Sequence, residues 1–509
     1  MLSELRLAII DDGVNRDNLG VALEDDLEIS EGVIRERFPH DSFAHSHGTT
    51  CVGILMAYHN PLPCTISSIK ILSHDHRGTV DDMIIALHWC LEHNIKIVHM
   101  SIGTVDFTTR NRLKVLVNKM ASEGIVIVAA GDNKGCLTFP AAFTNVVGVR
   151  AFIGDIKGKI VLNKSVGVDG IDFLARAVHD VRLGGEMIKT RVSNSFAAPY
   201  VTAQVIRFLV EDASLDVMSI KRLLCFGTMD RNVHQVAIFD WCNEYFLCNF
   251  SSIPLSRVLC SCNITPYWAI NQTQLPSAHL TFAAPSKKAT LVVAYDHLLC
   301  QILPKLSPSF PFYKNVVLLD VKQGGTQKST KALSLIEQNY INVSLFDKSS
   351  LDFCPEDRSN GSNKSIEVPV IVLCCPYIDG LVSVMLMLKD HFFNSVFHCL
   401  CLLDNALGYL CDFLVYRQHN SINNAVLNHL ATIHMADLIV IGVHTDTRES
   451  SWLANVDLFI HLGEQKYWGS CASQGQSMES IDLGNPIEKL ESYLEYILAK
   501  IAHHFIIQQ

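Results

Sequence analysis

Short, nearly uninterrupted apolar runs alternate with stretches of helical spacing along most of this chain, and that alternation constrains its fold more than any other feature. In residues 1–228 the runs Leu7–Ile10, Ile66–Leu72, Ile95–Met100, Ile125–Ala129 and Val146–Val149 have strand length. Val80–His93 and Thr109–Glu123 between them repeat with the helical period. A strand that is apolar on both sides has to be covered on both faces. The pattern therefore predicts an α/β unit, a parallel sheet with helices on both faces.

The alternation restarts at Val316. Strand patterns at Val316–Leu319, Ile341–Phe346, Val370–Cys375, Val396–Leu403, Leu438–Val443 and Leu458–Leu462, with helical patterns near 328–339, 379–392, 421–434 and 485–501, predict a second α/β domain over 313–509. Residues 229–312 between the two mix Cys, aromatics, Pro and short β-like runs such as Leu291–Ala294, and are expected to form a small β-rich connector. It closes on Leu303–Pro311, where three prolines and two serines fit neither period.

Composition removes several classes of function. Of the 509 residues 49% are hydrophobic and only 18% charged, which excludes a disordered chain or a coiled coil. A net charge of −10 with no Lys/Arg block argues against nucleic acid or an anionic membrane as partner. The most apolar stretch, Pro369–Leu388, is broken by Pro376, Asp379 and Gly380, so it reads as strand, turn and helix and not as a membrane span. The 17 cysteines are odd in number and scattered through apolar runs, as reduced core thiols are. Cys242, Cys248, Cys260 and Cys262 cluster but lack paired C-x-x-C spacing, so they too are expected to be core thiols and no metal site is assigned. Met1 to Arg6 run into the first strand with no basic, apolar or cleavage segment, and a cytoplasmic protein is expected.

Three segments of residues 1–228 carry chemistry. Asp11-Asp12-Gly13 puts a carboxylate at the carboxyl end of the first strand, where open α/β sheets hold their sites. His47-Gly48-Thr49-Thr50-Cys51-Val52-Gly53 sets a histidine at the start of a helix, and Ser193-Asn194-Ser195-Phe196-Ala197-Ala198-Pro199 lets Ser195 open another. A serine hydroxyl is a weak nucleophile that needs a histidine base, and the base needs a carboxylate to orient it. The chain order Asp, His, Ser is one of those in which such triads occur. Asp12 is expected to be the solvent-facing turn residue of its pair. His45 competes with His47 for the base, though Gly48 follows His47.

At these residues the chain resembles the subtilisin-like serine proteases, the subtilases or peptidase family S8. The family motifs D-[ST]-G, H-G-T-H-x-x-G and G-T-S-x-A-x-P fall on the three segments just quoted. Ile95 to Gly103 resembles the family strand that ends in S-L-G and lines the cleft, which implies substrate contacts at Ser101, Ile102 and Gly103. Gly124 to Gly131 resembles the strand leading to the oxyanion-hole asparagine, implying further substrate contacts at Ala129, Ala130 and Gly131. Phe139-Pro140-Ala141-Ala142 is similar to the family's Y-P-A segment. The resemblance covers residues 5–212 and implies a cytoplasmic serine endopeptidase acting on protein or peptide, with Asp11, His47 and Ser195 as its triad. No cofactor is required, and calcium is not legible. The start of the first catalytic strand within ten residues resembles intracellular subtilases, some of which remove leaders during peptide maturation.

The departures are specific. Thr50 stands for a second histidine, and Ser193-Asn194 for the Gly-Thr before the nucleophile. Asp132 stands where the family has the oxyanion asparagine. Either a protonated Asp132 donates to the oxyanion or Asn133 does, from a loop one residue longer; loss of one donor costs ~10²–10³ in turnover. A slow protease is expected, with a peptide-binding pseudoprotease as the alternative. In the second domain Gly324-Gly325-Thr326-Gln327-Lys328-Ser329 follows a strand in the order of a phosphate loop. Gln327 and Lys322 stand where its glycines belong, so a degenerate P-loop fold without turnover is expected, with a working NTPase as the alternative.

Overall fold

The computed structural model describes residues 5–37, 46–73, 75–154, 160–163, 169–225, 240–243, 245–251, 269–271, 290–295, 315–321, 343–346, 368–416, 422, 424–444, 456–462, 477–481 and 489–507. The chain divides into two compact units, Met1–Val233 and His234–Gln509.

The described strands of the first unit are β1 (Arg6–Asp11), β2 (Asp25–Ser30), β3 (Val33–Glu36), β4 (Thr65–Lys70), β5 (Ile97–Met100) and β6 (Val126–Ala130). They continue as β7 (Val146–Ala151), β8 (Val161–Leu162), β9 (Phe173–Ala175), β10 (Asp180–Leu183) and β11 (Glu186–Lys189). Its described helices are α1 (Arg16–Leu19), α2 (His47–Tyr58), α3 (Val80–Glu92), α4 (Arg110–Ser122), α5 (Asn194–Glu211) and α6 (Val217–Leu224). Nine strands form one sheet in the order β3-β2-β4-β1-β5-β6-β7-β9-β8. Pairing is parallel from β2 through β9 and antiparallel at the two edges.

Period-two alternation within β1 assigns the faces. Leu7 and Ile9 join Val52 and Leu55 of α2 and Val201 and Val205 of α5 in one buried cluster. Ala8 and Ile10 join Met83 and Leu87 of α3 and Leu113 and Val117 of α4 in another. The sheet is thus sandwiched between helices, as its uniformly apolar strands require. Each sequence-derived strand and helix of this unit is present to within about three residues. The β2–β3 and β10–β11 hairpins were not legible: β2 is rich in charge, β3 is an edge strand exposed throughout, and β10 and β11 are four-residue strands that mix charged with apolar residues.

In the second unit β12 (Tyr245–Phe250), β13 (Ala269–Asn271), β14 (Thr290–Tyr295), β15 (Asn315–Asp320) and β16 (Val343–Phe346) form a parallel sheet in the order β13-β12-β14-β15-β16. That is the 2-1-3-4-5 order of doubly wound sheets. Three of its strands come from 229–312, the stretch expected to be a separate β-rich connector. β14 pairs directly with β15, so a boundary at 312 cuts between neighbouring strands. An apolar run carries its period in the sequence but not the identity of its partner. A second parallel sheet follows, from β17 (Val370–Cys375), β18 (Cys399–Leu403), β19 (Leu414–Val415), β20 (Leu438–His444), β21 (Leu458–Leu462) and β22 (Ser477–Ile481), in the order β19-β18-β20-β17-β21-β22. Helix Ile378–Asn394 covers it, with Leu381, Val384 and Met385 buried against Leu403 and Val440. Gly324, Gly325, Lys328 and Ser329 lie outside the described residues, as do Cys260, Cys262 and His45. Among the described residues no helix is long and apolar enough to cross a membrane.

Candidate active site

Asp11 closes β1 and is fully buried. His47 is the first residue of α2, and its Nδ1 lies 2.8 and 3.0 Å from the two Asp11 oxygens. Several contacts fix that helix start. Ser46 is its N-cap, accepting from the Thr49 N–H (3.1 Å) and donating to the Gly13 carbonyl (2.7 Å). Gly48 allows the close approach, since a Cβ there would sit 2.8 Å from the Gly13 oxygen and 3.2 Å from Asp11 Cβ. Asp12, expected to face solvent, instead accepts the His47 and Gly48 N–H groups, each at 2.8 Å. The free amides of a helix N-terminus attract an adjacent carboxylate more strongly than a turn does. The Ser in S-H-G is a readable capping signal; nothing in the sequence places Asp12 at these amides.

Burial pulls the His47 pKa down, but the charge and hydrogen bond of Asp11, with the charge of Asp12, outweigh it, so the imidazole titrates above its ordinary value. Phe196 stacks on the ring with centroids 5.4 Å apart. Asp11, His47 and Cys51 bring three potential metal donors within 4.8 Å of one another. Both Asp11 oxygens already face His47, and burial pushes the Cys51 thiol well up, so this set is not suited to a cation.

Ser195 is the second residue of α5 and is clamped to the end of β5 by two contacts. Its Oγ donates to the Ser101 carbonyl at 3.3 Å, and Ser101 Oγ donates to the Ser195 carbonyl at 2.7 Å. Behind Ser101 lies a polar chain absent from the sequence reading. His99, fully buried on β5, meets Ser101 Oγ through Nε2 at 3.0 Å and Thr202 Oγ1 of α5 through Nδ1 at 2.9 Å. Burial drives the His99 pKa down to about 4.

The oxyanion alternatives part company here. Asp132 Oδ2 accepts the Lys134 and Cys136 N–H groups (2.7 and 3.3 Å) and so folds its own loop. Asn133 Oδ1 accepts the Asn194 N–H at 3.0 Å, immediately before the nucleophile. With the carbonyl side of that amide held at α5, its NH₂ is the side left to donate. Asn194 secures the arrangement: its Nδ2 donates to the Gly131 and Asp132 carbonyls (3.0 and 2.8 Å), and its Oδ1 accepts the Ala151 N–H (2.8 Å).

His47 and Ser195 line a common cleft of about 560 Å³ with Ser101, Ile102 and Gly103. Ala129, Ala130 and Gly131 are not among its lining residues. Ala129 and Ala130 are buried at 0% and 4% exposure in a central strand covered on both faces, and Gly131 is tied down by its bonds to Val149 and Asn194.

Residues 3–228 match the sequence model of the Subtilase family. It is 28% identical over 158 residues to "Minor extracellular protease Epr" of Bacillus subtilis (strain 168), a match covering 29% of this chain and 23% of that protein. It is 27% identical over 165 residues to "Subtilisin E" of the same organism, covering 29% of this chain and 41% of the relative. The chain thus spans about a quarter to two-fifths of the length of these relatives. Among solved structures it is similar to a cold adapted subtilisin-like serine proteinase, at 19% identity and a TM-score of 0.37, covering 46% of this chain and 85% of that one.

Proposed function

We propose that this chain is a serine endopeptidase that cleaves peptide bonds through an acyl-enzyme. Asp11 holds His47 in the tautomer that carries its proton on Nδ1, leaving Nε2 as the base. His47 takes the Ser195 hydroxyl proton as Oγ attacks the scissile carbonyl, then gives it to the leaving amine. Water enters and attacks the acyl carbon, giving its proton to His47, and the acid leaves as His47 returns that proton to Ser195 Oγ. The Asn133 NH₂ and the Ser195 N–H at the positive end of α5 stabilise the oxyanion. Support comes above all from one observation, the 2.8 Å Asp11–His47 pair opening on the same cleft as Ser195. The extended segment Ser101–Gly103 beside Ser195 suits a peptide held by strand addition. A reducing, cytoplasmic setting fits buried thiols such as Cys51, Cys90, Cys375, Cys399 and Cys401. Selective processing, such as leader removal in peptide maturation, is the use we favour for a protease unit joined to a second unit.

A peptide-binding pseudoprotease has one observation in its favour: Ser195 Oγ donates to the Ser101 carbonyl at 3.3 Å. Rotation about a single side-chain bond turns that hydroxyl elsewhere, so the protease is preferred. A fluorophosphonate probe separates the two. It should label the wild-type chain and not Ser195→Ala. Equal labelling of both removes Ser195 as nucleophile, and no labelling of a chain that still binds peptide establishes the pseudoprotease.

A further inference from the structure

Among the described residues four basic or titratable side chains line the cleft, His47, His76, Arg77 and Arg191, and no Asp or Glu does. His47 is matched by Asp11. His76 Nδ1 lies 4.0 Å from Asp12, and Arg77 Nε lies 3.6 Å from Asp75. Arg191 alone of the four has no carboxylate beside it among the described residues. It is exposed, four residues before Ser195, on the segment that runs into α5. The N-cap of that helix, Ser193, makes no side-chain capping bond, so the helix's positive end adds to the same field. The charge of Arg191 reaches His47, where it opposes protonation of the imidazole after the larger effects of burial, Asp11 and Asp12. A cation without a counter-charge, beside the reacting groups of a chain with net charge −10, is a place for the substrate to supply one.

We propose that Arg191 is a specificity-determining residue that selects peptides carrying Asp or Glu near the bond Ser195 attacks. The inference rests on the protease reading for that bond, and on the cleft alone for the acidic preference. A guanidinium receives a carboxylate through two parallel N–H groups, which a lysine cannot do. In an exposed cleft such a pair is worth a modest factor and is weakened by salt.

The full-length Ser195→Ala chain, with a positional set of fluorescent nonapeptides carrying Glu, Gln or Lys at each position in turn, tests this by anisotropy. At one position Glu should bind about 5-fold tighter than Gln. Arg191→Gln should abolish the preference, Arg191→Lys should reduce it, Arg191→Glu should turn it toward Lys, and 0.5 M salt should shrink it. Absence of any acidic preference, or a preference unchanged in Arg191→Gln, overturns the proposal, as does failure of every peptide to bind. Fluorophosphonate labelling of the parent chain judges the protease separately, so failure of one assignment is distinguishable from failure of the other.

Discussion

His47 has to be neutral to accept the Ser195 proton, and the Asp11 and Asp12 charges raise its pKa despite burial. Fluorophosphonate labelling should therefore rise with pH along a single titration centred above the ordinary histidine value of about 6.5. Asp12→Asn should move that midpoint down; a midpoint that stays put removes Asp12 from the site's electrostatics. His99 has the opposite sign. Its folded pKa of about 4 lies below the ordinary value, because burial disfavours the imidazolium. Its contribution to stability is present above about pH 6.5 and is lost as pH falls toward 4, by up to roughly 3 kcal/mol. Amide exchange in β5 and α5, corrected for intrinsic rates, should lose protection over that interval, and His99→Asn should flatten the dependence. An unchanged slope in the variant would assign the acid sensitivity elsewhere.

At the scale of elements, the site is assembled where β1, β5 and β6 end and α2 and α5 begin. Asn194 is the fastener between two of these, with one amide bonding the Gly131 and Asp132 carbonyls after β6 and the Ala151 N–H at the end of β7. Asn194→Ala leaves those groups without their partner and should destabilise the first unit by roughly 2–4 kcal/mol, seen as a lower melting temperature. Labelling should slow as well, since the Asn133 loop is released from α5. Asn194→Asp keeps an acceptor for Ala151 but loses both donors, so it should fall between. Wild-type stability in Asn194→Ala would show that the loop is held by its other bonds, such as Asp132 N–H to Thr138 Oγ1 at 3.0 Å.

For the whole molecule, the division at Val233 into two compact units predicts separable function. A chain ending at residue 233 should fold, since its sheet is covered on both faces by its own helices, and should react with a small fluorophosphonate while losing preference among protein substrates. The second unit would then supply selection and not chemistry. ATP and magnesium should leave labelling unchanged in wild type and in Lys328→Ala; ATP hydrolysis that depends on Lys328 would make the second unit an energy-coupled partner instead. The sequence by itself determined the layered α/β class, five strands of the first unit's sheet and the motif order that singles out Asp11, His47 and Ser195, because apolar period and motif order are local properties of a chain. Only the tertiary structure set Asp12 on the amides that open α2 beside Asp11 on the imidazole, and Asn133 on the Asn194 N–H beside Asp132 on its own loop. In each pair two similar side chains stand next to each other, and the choice depends on which one meets an amide or imidazole some tens of residues away. The same holds for His99 and for the strands of 245–295, whose partners lie across the fold and leave no mark on the residues beside them.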